Sequence, residues 1–473
     1  MPGISYVCLS DTHFGAKNSL LTKLKPASWD TDPEAASSVM QHLVACLRDL
    51  LAKAGNPQGV TLILNGDILE LALTTDNEAY MVFRRFMELI MSPRLFKTIV
   101  YVPGNHDHRL WELARETQYM TYVGRLEASD DLPIPWHTTK MFMENASYPV
   151  TSYSLDSIIR KYGFQDLRIA MAYPNFALLQ KRNQRCVIFH HGHFVEPLYQ
   201  LMTTLRSLIL AGRRPPVHIW DIEAENSFWI DCFWSFMGRG GDGGKDVQSV
   251  YDTMKARDAF KNALYQLVND LAEKYDVPGW DDITDTRFLQ WATGALVHRM
   301  RGTEKTLTGS ILSDGGRRGL QAYVSGPLKD QIDNECGANP PRNVTFVFGH
   351  THKPFQEDMS FLGYPQWSSI YNSGGWVVES VEAEPFHGGA VILADDNLDV
   401  VSLRMYNENR DPERYAMRIE EASHPGAQTN DLFKTITELI NPSLDPWESF
   451  SDAAAEAVHT REQHLRAEAA EKG

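Results

Sequence analysis

Five short apolar runs, each closed by a cluster of Asp, Asn or His, give the chain its pattern. Ile4-Ser5-Tyr6-Val7-Cys8-Leu9 ends at Ser10-Asp11-Thr12-His13, Val60-Thr61-Leu62-Ile63-Leu64 at Asn65-Gly66-Asp67, and Thr98-Ile99-Val100-Tyr101-Val102 at Pro103-Gly104-Asn105-His106-Asp107. Further on, Cys186-Val187-Ile188-Phe189 ends at His190-His191-Gly192-His193, and Val344-Thr345-Phe346-Val347-Phe348 at Gly349-His350-Thr351-His352. Between the first three runs, apolar residues such as Val39, Leu43, Leu47 and Leu50 recur at near-helical spacing. That spacing predicts helices over about 33–54 and 78–91. The resulting βαβαβ order predicts a parallel or mixed sheet covered by helices. In open α/β sheets ligands bind beyond the carboxyl ends of the strands. The polar clusters therefore mark the candidate site.

The interval between His193 and His350 has a different texture. Leu198, Leu201, Met202, Leu205, Leu208 and Ile209 predict one helix, ended by Gly212 and Pro215-Pro216. Val247, Val250, Met254, Ala263, Leu264, Leu267 and Leu271 mark another, and Trp220, Trp229, Trp234, Trp280 and Trp291 fall here too. The reading is a large, mostly helical cap inserted into the sheet domain. Its apolar stripes suit a cap core or a dimer interface before a lipid groove. Gly238-Arg239-Gly240-Gly241-Asp242-Gly243-Gly244-Lys245 lacks the P-loop pattern, because Arg239 stands where its first glycine belongs and Asp246 where Ser or Thr belongs. It reads as a hinge or lid loop from which Arg239 and Lys245 could reach a phosphate. Trp367 to Val378 and Ala390 to Met405 predict further strands, and the Ala/Glu-rich stretch from Asp445 a surface helix. The expected domains are 1–193 with 341–425 as a discontinuous catalytic domain, 194–340 as the cap, and 426–473 as a helical extension.

Composition narrows the classes. The 473 residues carry a net charge of −16, which argues against affinity from a general basic surface and so disfavours nucleic acid. Cys8, Cys46, Cys186, Cys232 and Cys336 are scattered without a CxxC pair, as expected for reduced thiols and a cytoplasmic protein. No apolar run approaches the roughly 18 residues of a membrane span. No signal peptide is expected either, since a working Asp11 leaves no room for a cleavable leader.

Asp11, His13, Asp67, Asn105, His191, His350 and His352 offer carboxylate, imidazole and amide oxygen. That donor set suits divalent Mn, Fe, Zn, Ni or Co, with Mn favoured. No thiolate lies in any cluster, which argues against a structural zinc site. Seven ligands exceed one tetrahedral shell and suit two ions sharing a carboxylate, the arrangement that can clamp both oxygens of a phosphoryl displacement. Alternate side chains of an extended strand end point the same way, so Asp11-x-His13 and His350-x-His352 can each reach one ion. Gly66, Gly104, Gly192 and Gly349 suit close backbone approach.

Together, Asp11-Thr12-His13, Gly66-Asp67, Gly104-Asn105-His106-Asp107, His191-Gly192-His193 and Gly349-His350-Thr351-His352 resemble the five ordered motifs of the calcineurin-like metallophosphoesterase superfamily. The resemblance implies a four-layer α/β/β/α sandwich with a dinuclear site. One ion would be held by Asp11, His13, Asp67 and His352, the other by Asp67, Asn105, His191 and His350, with Asp67 bridging. His106 would stabilise the transition state or protonate the leaving oxygen, and Asp107 would orient it. Of His190, His191 and His193, His191 fits the fourth motif best, and His193 would face substrate or stand behind the ligands; Arg109 is a further candidate substrate contact. Ser10 to Gly15, the insert, and Asn372-Ser373-Gly374-Gly375-Trp376 are similar to the UDP-2,3-diacylglucosamine hydrolase branch. That likeness implies a bulky, amphiphilic phosphoester. The expected activity is hydrolysis of a phosphomonoester, phosphodiester or pyrophosphate by a metal-bridging hydroxide, in a protein able to form a homo-oligomer. A nuclease of the same superfamily, or a catalytically silent metal-bearing interaction subunit, are the alternatives.

Overall fold

Two sheets form because the central strand runs are apolar on both faces. A computed structural model describes residues 3–209, 216–231 and 311–472, apart from 27, 56–58, 93, 133–135, 144–149, 162, 165–166, 183, 382–384 and 409–416. The strands are β1 Tyr6–Leu9, β2 Thr61–Asn65, β3 Thr98–Val102, β4 Val150–Thr151, β5 Ile169–Met171, β6 Asn175–Gln180 and β7 Arg185–His190. They continue with β8 Asn343–Phe348, β9 Phe355–Met359, β10 Ser368–Asn372, β11 Gly388–Ala394, β12 Val400–Asn407 and β13 Arg418–Glu420. The first sheet has the order β13-β12-β11-β1-β2-β3-β5-β4, and the second β6-β7-β8-β10-β9. β1, β2, β3 and β5 run parallel, as do β7, β8 and β10, while β11 joins β1 antiparallel.

Strand alternation divides the core into three layers. Cys8, Ile63, Val100, Val187, Phe189 and Val347 meet between the sheets. Val7, Leu9, Leu62 and Leu64 face the helices α1 Ser38–Lys53 and α2 Asp76–Met91, which α3 His108–Val123 and α4 Tyr153–Arg160 follow in the chain. Cys186, Ile188, Phe346 and Phe348 face a second helical layer. The architecture is thus an α/β/β/α sandwich. Leu43, Leu47 and Leu50 of α1 are fully buried, each burial stabilising by roughly 1.5–3 kcal/mol.

Several boundaries differ from the pattern-based expectation. α1 starts at Ser38 because the Ser37 hydroxyl accepts from Met40 N and caps it, so Pro33 to Ala36 stay outside. α2 starts two residues early through a capping box between Thr75 and Glu78. The run from Ala390 is a hairpin, cut where Asp395 caps Asn397 N and Asp399 N and Leu398 turns left-handed. The helix expected from Leu198 begins with a 3₁₀ turn, Pro197–Gln200, before α5 Leu201–Ile209; of its stop signals, Gly212 and Pro215 lie outside the described residues.

The described flanks of the 194–340 interval are helical and pack directly on the second sheet. α6 Ile219–Ile230, α7 Asp314–Tyr323 and α8 Lys329–Cys336 bury Ile222, Leu320, Tyr323 and Ile332 against it. They supply the sandwich's outer layer, because the second sheet needs an apolar cover of its own. The stripe from Val247 to Leu271, Trp234, Trp280 and Trp291 lie outside the described residues. Two more helices follow β13: α9 Asp431–Leu439 and α10 Trp447–Lys472. α10 is no solvated appendage. It buries Trp447, Phe450, Ala454 and Val458 in the core shared with α1. Among the described residues no helix is long and apolar enough to cross a membrane, and Cys8, Cys46, Cys186 and Cys336 are unpaired.

Candidate metal centre

All five polar clusters converge at the carboxyl ends of β1, β2, β3, β7 and β8. Asp11, His13 and His352 lie within ligand reach of one another, and so do Asp67, His191 and His350. All six are buried. Backbone conformation makes this possible. Asp11, His13, Asp67, His350 and His352 have φ of 49°, 44°, 50°, 68° and 58°. L-residues adopt this left-handed region at a cost of order 1–3 kcal/mol each. It throws each side chain sideways off its strand, across the sheet ends. Glycine is required beside it: a Cβ on Gly104 would come within 2.6 Å of Asp67 N.

The strand parity of β7 settles which neighbouring histidine enters. His190 shares the face of Cys186 and Ile188, so it turns into the helical layer and stacks near Tyr323 (4.6 Å). His191, past the strand end, turns into the centre. Its Nε2 lies 3.1 Å from Asp67 Oδ2, 3.1 Å from Asn105 Oδ1 and 3.3 Å from His350 Nδ1. In the other cluster His13 Nε2 is 3.2 Å from His352 Nε2, which is 3.4 Å from Asp11 Oδ1. Asp67 Oδ2 lies between the clusters, 3.8 Å from His13 Nε2 on the far side.

These spacings fit a divalent cation. Ligands at about 2.1 Å from one ion are separated by about 3.0 Å in an octahedron and about 3.4 Å in a tetrahedron. The far nitrogens fit as well, since each is set against an oxygen. His13 Nδ1 meets Glu70 Oε2 at 2.8 Å, His352 Nδ1 meets Glu379 Oε1 at 3.3 Å, His350 Nε2 meets Glu196 Oε1 at 3.4 Å, and His191 Nδ1 meets Asn65 O at 3.3 Å. Where the contact is a hydrogen bond, as at His13 and His191, it keeps the proton off the nitrogen facing the ion and makes it a better donor.

Electrostatics agree. Burial alone would raise the Asp67 carboxyl, but His191 and His106 hold it well below the usual carboxylate range. Burial is likewise outweighed at Asp11, by His191 and His352. Burial disfavours charge on His191, yet Asp67 and Asp11 push it up to about 9. The site therefore favours positive charge, which a protonated His191 would supply.

Glu70 was not singled out by the sequence. Its Oε1 accepts from His106 Nδ1 (2.9 Å), Ala72 N (3.0 Å) and Leu73 N (2.8 Å). It, and not Asp107, faces His106. The Asp107 carboxylate is taken up by Ile68 N (2.8 Å), Gly104 N (2.6 Å) and Tyr101 OH (2.5 Å). Asp107 pins together the loops that carry Asp67 and Asn105, and the orienting role expected of it is corrected to Glu70. The spacing Asp67-x-x-Glu70 is the one sequence signal that could have pointed there. Glu196, three residues past His193, repeats that spacing, whereas Glu379 sits in a loop outside the five clusters and carries no such signal.

The expected substrate contacts are placed differently. Arg109 is bound to Asp76, at 2.8 Å and 3.1 Å. His193 is fully buried with Nε2 3.2 Å from Tyr173 OH, in a network through Glu223 to His108. Arg239 and Lys245 lie outside the described residues.

Residues 4–213 match the family model described as calcineurin-like phosphoesterase. Among solved structures, a dimetal phosphatase from Danio rerio matches at 10% identity, covering 89% of this chain and 100% of its own, with a TM-score of 0.31. A likeness of that size carries no argument about the site. No curated protein matches the sequence.

Proposed function

We propose, for a chain whose residues 4–213 form a calcineurin-like phosphoesterase region, that its centre hydrolyses a phosphoester with two divalent cations. The observation that carries this is the paired clusters with Asp67 Oδ2 between them. Asp11, His13, Asp67 and His352 would hold one cation, and Asp67, Asn105, His191 and His350 the other. Bound there, the pair supplies charge for the phosphoryl oxygens and lowers the pKa of water for attack.

The chain's own residues do the rest. Glu70 holds the His106 ring by Nδ1, so that Nε2 delivers a proton to the leaving oxygen. Asp107 keeps the Asp67 and Asn105 loops in register. Burial of all seven candidate ligands excludes bulk water and strengthens every charge interaction. The substrate is a phosphomonoester, phosphodiester or pyrophosphate, and a bulky, amphiphilic one is included in the test because the 194–340 interval is rich in tryptophan. The chain divides into a discontinuous catalytic domain, 1–193 with 341–425, an insert over 194–340, and an extension over 426–473. A cytoplasmic location goes with the unpaired cysteines.

The test is a matrix of Mn, Fe, Ni, Zn and Co against monoesters, cyclic and linear diesters, nucleotide-sugar pyrophosphates and oligonucleotides. Metal-dependent hydrolysis of one ester class is expected. Asp67→Asn should lose metal and activity together, and His106→Asn should keep both ions while turnover falls about 10²–10⁴-fold. Metal-loaded protein inert on every class would overturn the reading.

A further inference from the structure

The loop Phe14–Thr22 braces the first ligand turn, and the far end of the chain braces that loop. Ala16 N donates to His13 O (3.0 Å), Ser19 Oγ to Thr12 O (2.7 Å), and Gly15 N to Thr22 Oγ1 (3.0 Å). The loop's own carbonyls at Ser19 and Thr22 accept from Arg461 Nη2 of α10, at 2.8 Å for Ser19. Arg461 is 5% exposed, and among the described residues no carboxylate pairs with it. A buried guanidinium facing only carbonyl dipoles is a costly way to stabilise a loop. Burial pulls its pKa down to about 10, so it stays charged at neutral pH.

α10 touches the other shoulder of the same turn independently. Phe450 packs edge-on against Trp376, ring centroids 6.3 Å apart. Trp376 N donates to Asp11 O (2.9 Å), and Trp376 O accepts from Leu20 N (2.8 Å). Both rings are fully buried. One helix thus holds Asp11 through Trp376, and Thr12 and His13 through the loop. Asp11 and His13 are two of the left-handed residues, whose conformation persists only where surroundings over-determine it.

We propose that α10 is part of the first cation site, with Arg461 the positioning residue that keeps the Asp11–His13 turn in its ligand-presenting conformation. This rests on the dinuclear reading above. A general brace would stabilise the whole fold, whereas a positioning residue acts on the cation held by Asp11, His13 and His352 and spares the one held by Asn105, His191 and His350.

The experiment uses the full chain with Arg461→Lys, Arg461→Met and Phe450→Leu. Calorimetric Mn²⁺ titration would be run beside thermal melting of metal-free protein. His13→Ala identifies which binding event belongs to the first site. Wild type should take up two ions. Arg461→Met should weaken the His13-dependent event ten- to hundredfold, the usual range for a group supporting a ligand, and leave the other within about twofold. Arg461→Lys, which keeps donors for the carbonyls, should fall between, and Phe450→Leu should weaken the same event. Equal weakening of both events, or a lower melting temperature with both affinities unchanged, overturns the proposal. If Arg461→Met does not fold, the lysine and leucine variants carry the same comparison. A wild type that binds fewer than two ions sinks the dinuclear reading, and this proposal with it.

Discussion

Replacing Glu70 by glutamine separates metal binding from proton delivery, and the structure says why. Three donors, His106 Nδ1, Ala72 N and Leu73 N, converge on Oε1, while Oε2 meets His13 Nδ1 alone. A glutamine keeps the shape but must keep its carbonyl oxygen at the three-donor end, because an NH₂ there would face two backbone N–H groups. The NH₂ therefore lands against His13 Nδ1, which has to accept. The proton of neutral His13 moves to Nε2, the nitrogen 3.2 Å from His352 Nε2. A protonated Nε2 has no lone pair for a cation.

The expected loss is ten- to hundredfold in affinity for the first ion, about 1.4–2.7 kcal/mol. His106 still meets an acceptor, so turnover at saturating metal should return to within a few-fold of wild type. Glu70→Ala removes both contacts and should stay about 10²–10⁴-fold slow at any metal concentration. Turnover measured across a Mn²⁺ titration distinguishes the two, and nitrogen-detected NMR of His13 reads the tautomer directly. A glutamine variant with wild-type metal dependence, or one whose deficit excess metal does not relieve, would refute the reasoning.

Two more outcomes follow from the same geometry. His191 is pushed up to about 9 from 6.5 by Asp67 and Asp11 against the effect of burial, so its charged form stabilises the metal-free fold fully below about pH 6.5 and less as pH climbs towards 9. The melting temperature of metal-free protein should fall across that window, while Mn²⁺ affinity rises because one proton fewer must leave; a flat affinity from pH 6.5 to 9 would contradict the assignment. Asp107→Asn leaves at least one of Ile68 N, Gly104 N and Tyr101 OH poorly matched and should cost about 1–3 kcal/mol in denaturant unfolding, with turnover at saturating metal within tenfold. A collapse in turnover with unchanged stability would return Asp107 to the orienting role.

The candidate ligands were legible because each follows an apolar strand, and a strand end is a place where sequence position predicts spatial position. The carboxylates behind them were less so. Glu70 and Glu196 are three residues past Asp67 and His193, but Glu379 sits in a loop whose path depends on tertiary packing, and one glutamate in a loop looks like any other. Asp107 misled for a related reason. Adjacency to His106 suggested contact, but at the start of α3, His108–Val123, successive side chains diverge, and its carboxylate went to backbone donors. Edge strands such as β6 and β9 escaped because their partly exposed residues broke the apolar run.

The C-terminal helix shows the same limit from the other side. Its sequence, rich in Ala and Glu, has the composition of a solvated helix, yet Arg461 and Phe450 reach the turn that starts some 440 residues earlier. The link between them is conformational. Of the nine non-glycine residues with left-handed backbone among those described, five are candidate ligands. Ordinary strand ends do not need this, and hydrogen bonds along the sheet do not enforce it. The fold has to supply restraint from outside the strands: Asp107 across β2 and β3, Glu70 behind His13, Trp376 and the Phe14–Thr22 loop around Asp11. Residues that touch no ion then decide how well one is held, which is why the sharpest tests of this centre lie in variants that leave every ligand in place.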